Sequence, residues 1–138
     1  MLSASVIHIK LKRHDDHRGF FAEIYNRHKY SELGIDDEFV QDNHSLSREV
    51  GTLRGLHFQA PPYAQAKLVQ CSRGAIFDVA VDIRSGSPTY GQWEAYELTA
   101  ENGHQLYIPV GFVHGFVTLE PDSEIVYKCS DYYAPETE

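Results

Sequence analysis

Short extended runs cut off by Gly, Pro or Asn turns fill this chain, and no long segment keeps a helical period. In residues 75–83, Phe77, Val79, Val81 and Ile83 fall on one face, while Ile76, Asp78, Ala80 and Asp82 fall on the other. Two carboxylates on an otherwise apolar face either point into a wet cavity or lie on the solvent side. A run at 67–71 precedes it across Ser72-Arg73-Gly74, a turn whose glycine can take positive φ. Further runs are predicted at 93–98, 106–108, 112–119 and 125–129, with a bend at Pro109-Val110-Gly111. Residues 27–33, ended by Gly34, read as a short helix, and residues 6–11 as an N-terminal strand with an edge able to pair across an interface. This pattern predicts an all-β antiparallel sandwich or barrel of the jelly-roll kind. With 138 residues and no repeat or linker, one domain over 1–138 is expected.

The formal charge of −8 argues against nonspecific binding to nucleic acid or to an anionic membrane, both of which favour a cationic surface. A local basic pocket for phosphate remains compatible with it. No apolar run is long enough to cross a bilayer and the N-terminus carries no signal-peptide core, so a cytoplasmic protein is expected. Cys71 and Cys129 lie far apart without CxxC spacing, as structural thiols of a reducing compartment do.

Three segments concentrate polar groups where a β-protein normally places packing residues. They are residues 15–23, residues 41–45 with 51–59, and residues 109–116 with 127–136. In the second, Arg54 and His57 flank Gly55-Leu56 beside Gln59. Imidazole titrates near neutrality, which suits a general base. Arg18 and Arg54 can each fork onto phosphate oxygens. Lys67 can place a charge beside a developing oxyanion, Tyr127 can donate a proton, and Tyr133 offers a face for stacking. Taken singly, each has a plainer reading: a hydrogen-bonded structural histidine, a rim tyrosine, a solvated arginine, or His114 as a core histidine with a backbone partner. Residue chemistry alone stops at a polar cavity in a barrel.

The combination goes further. Asp16-His17-Arg18-Gly19-Phe20-Phe21, Arg54-Gly55-Leu56-His57-Phe58-Gln59, the stretch at 76–84, Pro109-Val110-Gly111-Phe112-Val113-His114-Gly115-Phe116, Tyr127-Lys128 and Asp131-Tyr132-Tyr133-Ala134-Pro135-Glu136 occur in order. Together they resemble the dTDP-4-dehydrorhamnose 3,5-epimerase family, the RmlC-like cupins, over nearly the whole chain. The resemblance implies a cupin-type double-stranded β-helix, a homodimer, and a dTDP-4-keto-6-deoxy sugar substrate epimerised at C3 and C5, or at C3 only, without cofactor or metal. It implies His57 as proton acceptor, Tyr127 as proton donor, Lys67 beside the enolate oxygen, and Tyr133 stacked on the thymine. Arg18, Glu23, Gln41, Asn43, Arg54, His114 and Glu138 match positions that line the substrate. Members of the family run on past the position of Glu138, into a segment that carries the acidic partner of the catalytic histidine. Asp78 is the candidate substitute for that partner here.

Three rivals are weighed against this reading. A metal-dependent cupin needs an HxH pair, and His57-Phe58-Gln59 places a glutamine at the second ligand position, leaving His44, His104 and His114. A 3,4-ketoisomerase would use the same enediolate chemistry with the carbonyl moved. A non-catalytic nucleotide-sugar-binding barrel would keep the pocket and lose the proton transfer, against which His57, Lys67 and Tyr127 speak.

Overall fold

The runs on either side of Gly74 share a turn but not a sheet. The structure, a computed structural model, describes residues 4–138. In chain order the elements are β1 (Ile7–Lys10), β2 (His14–Asp16), β3 (Gly19–Phe21), α1 (Arg27–Glu32), β4 (Gln41–Ser47), β5 (Leu53–His57), β6 (Lys67–Arg73), β7 (Ala75–Asp82), β8 (Trp93–Thr99), β9 (His104–Ile108), β10 (Phe112–Thr118) and β11 (Ser123–Cys129). One sheet has the order β1-β9-β6-β11-β4, the facing sheet β5-β10-β7-β8, and β2 and β3 form a separate hairpin. From β4 onward the chain crosses between sheets at every connection except the β7–β8 hairpin. This alternation winds the double-stranded β-helix of a cupin-type jelly roll.

Gly74, at φ 78°, makes one such crossing. A Cβ there would run into the Ser123 side chain, whose Oγ accepts from Ala75 N at 3.2 Å. The turn is therefore a corner between sheets rather than the end of a ladder.

Apolar side chains explain the two layers. Val69, Ile76, Leu98, Leu106, Phe112 and Ile125 are among the buried residues that pack between the sheets. A second cluster, including Ile9, Tyr30, Ile35, Leu68 and Tyr107, lies where the segment carrying α1 packs against β1, β6 and β9. Adjacent residues of β6 and β9 thus bury opposite faces, which is why 68–69 and 106–107 read as continuous apolar pairs. The helix begins at Asn26, whose side chain accepts from Lys29 N, and it gives way to Gly34 at φ 96°.

The two carboxylates of β7 both point inward. Asp82 lies in a buried polar staple, accepting from Arg84 Nε at 3.0 Å and Ser87 Oγ at 2.6 Å. The Arg84 guanidinium, foremost, holds its carboxyl well below the usual range. Asp78 belongs to the site below.

The sequence missed β4 and the β2–β3 hairpin as strands. Gln41, Asn43, Ser45 and Ser47 are the less exposed positions of β4, alternating with exposed Asp42 and His44. Its inward residues are polar, so the alternation carries no hydrophobic signal.

Tyr30 supplies a test of the outer layer. Its hydroxyl donates to Gln105 Oε1 at 2.6 Å and lies 3.0 Å from Ile24 O. Burial pushes its phenol from 10.0 up to about 12. The folded state therefore keeps a proton that the unfolded chain releases above pH 10, and stability falls as pH rises from there towards 12. Tyr30→Phe is expected to cost about 1–3 kcal/mol at neutral pH by orphaning Gln105 Oε1. It should also flatten that alkaline limb, as read by urea unfolding at a series of pH values.

Candidate active site

Arg54 and His57 stand three residues apart on β5, a spacing that in a regular strand sends them to opposite faces. Both nevertheless line one cavity. The β5–β10 register explains this: Phe116 pairs with Arg54 and His114 with His57, so Gly55 and Leu56 together oppose the single residue Gly115. This is a β-bulge, and the extra residue turns His57 back towards the barrel interior. Gly55 sits at φ 118°, and a Cβ on it would lie 2.7 Å from Gly115 Cα and 2.8 Å from His114 O. Only glycine fits both the conformation and the close approach.

The cavity has a volume of about 450 Å³, and its polar wall is made by Ser45, Arg54, His57, Lys67, His114 and Tyr127. His57 and His114 come from the four-stranded sheet, Lys67 and Tyr127 from the five-stranded one. The two pairs therefore face each other across the barrel. Lys67 Nζ lies 5.6 Å from the centroid of the Tyr127 ring. Burial lowers the Lys67 pKa, an effect opposed by Cys129, Glu138 and Asp78. Burial also raises the Tyr127 phenol, with Asn43 acting the other way. The phenol thus keeps its proton at neutral pH and can serve as an acid. Arg54 is braced by donating Nε to Ser47 Oγ at 2.8 Å and Nη2 to Leu46 O at 3.0 Å.

Asp78 does not orient His57, as the sequence reading had it. Its Oδ1 lies 2.6 Å from His114 Nε2, because Asp78 and Phe116 are ladder partners and His114 sits two residues along β10 on the same face. Both side chains are buried, and Asp78 Oδ2 has no hydrogen-bond partner. The carboxylate within 4 Å of His57 is instead that of Glu138, with Oε2 3.9 Å from Nδ1, beyond hydrogen-bond length.

The remaining expected residues divide into two sets. Gln41, Asn43 and Tyr133 do not line the cavity themselves but join one another beside it: Gln41 Nε2 donates to Asn43 Oδ1 at 3.0 Å, Tyr133 N donates to Gln41 Oε1 at 3.1 Å, and Asn43 bonds to the lining residue Tyr127. Arg18 and Glu23 do not line the cavity. Arg18 pairs with Asp16 at 2.6 Å on the exposed hairpin, and Glu23 pairs with Lys29 at 2.5 Å. His44 faces Glu124 at 2.8 Å and His104 faces His8 at 3.0 Å, both away from His57. Among the described residues no three His, Cys, Asp or Glu side chains converge as metal ligands. No helix among them is long and apolar enough to cross a membrane.

Sequence reasoning missed the Asp78–His114 pair and the part played by Gln59. The only signal for the first was the parity that Asp78 shares with Ile76 and Ala80, which does not name a partner strand. The second, a set of bonds to backbone groups of distant loops, left no signal in the sequence.

A family model described as dTDP-4-dehydrorhamnose 3,5-epimerase matches residues 3–138. A dTDP-4-dehydrorhamnose 3,5-epimerase from Sinorhizobium fredii is 51% identical over 137 residues, covering 97% of this chain and 70% of that protein. The crystal structure of the Bacillus anthracis enzyme, with TDP and pyrophosphate bound, superposes with a TM-score of 0.94 at 48% identity. It covers 96% of this chain and 75% of that one. The Legionella pneumophila epimerase in complex with dTDP-4-keto-L-rhamnose gives 0.91 at 51% identity, over 96% and 70% of the two chains.

The bulge makes a local prediction. Gly55→Ala should cost about 1–3 kcal/mol from the positive φ alone. The further clash with Gly115 should move His57 and cut turnover by more than tenfold, measured as kcat/KM on protein shown by circular dichroism to be folded.

Proposed function

Since the chain belongs to the dTDP-4-dehydrorhamnose 3,5-epimerase family, we propose that it inverts carbon centres of a dTDP-4-keto-6-deoxyhexose, at C3 and C5 or at C3 only, in dTDP-L-rhamnose-type deoxysugar biosynthesis. The observation that carries this reading is the opposition of His57 and Tyr127 on facing walls of one cavity. Inverting a carbon next to a carbonyl requires a proton to leave from one face and return to the other.

C3 and C5 both adjoin the C4 carbonyl, so removing either proton gives an enolate. His57 takes the proton from the four-stranded wall. Charge then builds on the C4 oxygen, where the Lys67 ammonium, with little competing water, stabilises it. His114, its ring held by Asp78, offers its second nitrogen to the same oxygen. Tyr127 returns a proton from the opposite wall, and its elevated pKa keeps the phenol charged with that proton beforehand. Arg54 holds phosphate, and the exposed Tyr133 stacks on the base, fixing the sugar by contacts remote from the reacting carbon. Gln41 and Asn43, bonded to each other, meet the substrate beside Tyr127, and Glu138 approaches His57 as its acidic neighbour.

We further propose a homodimer working in the cytoplasm. Strand β1 ends the five-stranded sheet and leaves an unpaired edge. The β2–β3 hairpin exposes Phe20 and Phe21, at 58% and 68%, beside Arg18. A second copy set against this hairpin would cover those rings and give Arg18 and Glu23 a ligand to meet. The two buried free thiols suit a reducing compartment.

The test is proton NMR of dTDP-4-keto-6-deoxyglucose incubated with the protein in D₂O, followed by a reductase to trap the product. Deuterium at C3 and C5 with an L-rhamno product is expected, and deuterium at C3 alone identifies a mono-epimerase. His57→Ala should abolish exchange while leaving dTDP binding within a few-fold. A moved carbonyl would establish the ketoisomerase, and binding without exchange would establish a non-catalytic barrel.

A further inference from the structure

Gln59 occupies the second ligand position of an HxH pattern, but its side chain is spent on backbone groups. It is buried, at 6% exposure. Its Nε2 donates to Tyr63 O at 2.7 Å and to Tyr132 O at 3.2 Å, and its Oε1 accepts from Ala134 N at 2.8 Å. One amide thus joins the loop after β5 to the chain on both sides of Tyr133. Neighbouring bonds reinforce the seam: Gln65 Nε2 donates to Asp131 O at 2.9 Å, and Ala60 N donates to Thr137 O at 3.0 Å. The Tyr133 amide itself donates to Gln41 Oε1.

Tyr133 is 57% exposed, so packing does little to hold its ring. The place of the ring is fixed by its backbone, and that backbone is fixed by amide side chains. A carboxamide is suited to this task because it donates twice and accepts in one plane. A platform held in advance spares a ligand the entropy of ordering it.

We propose that Gln59 is a positioning residue for the nucleotide end of the site: it clamps residues 132–134 so that Tyr133 stands ready for the base. The proposal rests on the reading of Tyr133 as the stacking surface. Gln59 touches no reacting atom in it, so its effect falls on nucleotide affinity rather than on the proton transfers.

Gln59→Glu keeps the shape and the acceptor for Ala134 N but loses both donors and sets a carboxylate against two carbonyls. At mildly alkaline pH, dTDP affinity measured by calorimetry and KM should each worsen about tenfold, equivalent to about 1.4 kcal/mol, with kcat changed far less. As pH falls and the buried acid takes up a proton, it regains one donor, so affinity should recover relative to the unmodified protein at the same pH. Gln65→Glu, a milder cut in the same seam, should move affinity in the same direction by a smaller factor. Hydrogen exchange at the Tyr133 and Ala134 amides should accelerate in both variants without ligand. Unchanged exchange and unchanged affinity overturn the clamp, as does a fall in kcat with affinity intact, which would mean that Gln59 acts through His57. Faster exchange with dTDP affinity insensitive both to Gln59→Glu and to Tyr133→Ala overturns the proposal through its premise, the stacking role of Tyr133.

Discussion

Close contact between two backbones, Gly55 against Gly115, sets the geometry of the whole catalytic end. A strand that pairs regularly along β10 would send either Arg54 or His57 outward. The bulge at Gly55-Leu56 resolves the conflict by placing two residues against one. It needs an unusual backbone conformation and an absent side chain at the same position, and glycine supplies both. The cost lies in the β5–β10 ladder, the gain in the cavity: the Arg54 guanidinium and the His57 imidazole share one wall.

The barrel interior then serves two purposes. Ile76, Leu98, Leu106 and Phe112 pack the sheets together, with Asp82 held by its staple of donors. Among them, Lys67, Tyr127 and His114 turn towards the cavity, with Asp78 buried behind His114. Burial of these groups is not incidental to the chemistry. It lowers the Lys67 pKa and raises that of Tyr127, so the loss of water that shifts the ammonium also keeps the phenol protonated.

Much of this was legible in the residues, for identifiable reasons. The alternation of β7 and the apolar pairs of β6 and β9 announced strands, and the ordered motifs around His57, His114 and Tyr127 pointed to one family. Strand β4 escaped because its inward residues are Gln, Asn and Ser, which give no apolar alternation to read. The partner of Asp78 was placed at His57 rather than His114, because strand parity can turn Asp78 inward but does not say which neighbouring strand carries its partner. The crossing at Gly74 looked like any tight turn, since a corner between sheets and a hairpin use the same residue type. Bonds from Gln59 to the backbone near Tyr133 depend on tertiary contacts alone.

The central claim is that protons leave through the His57 wall and return through the Tyr127 wall, and it is tested most directly by Tyr127→Phe in D₂O. Removing the donor should leave deprotonation intact. The account predicts that recovered substrate gains deuterium with its configuration retained, while the epimerised product falls at least about a hundredfold, the scale of a lost general acid. Loss of exchange as complete as in His57→Ala, or epimerisation at the unmodified rate, would contradict it.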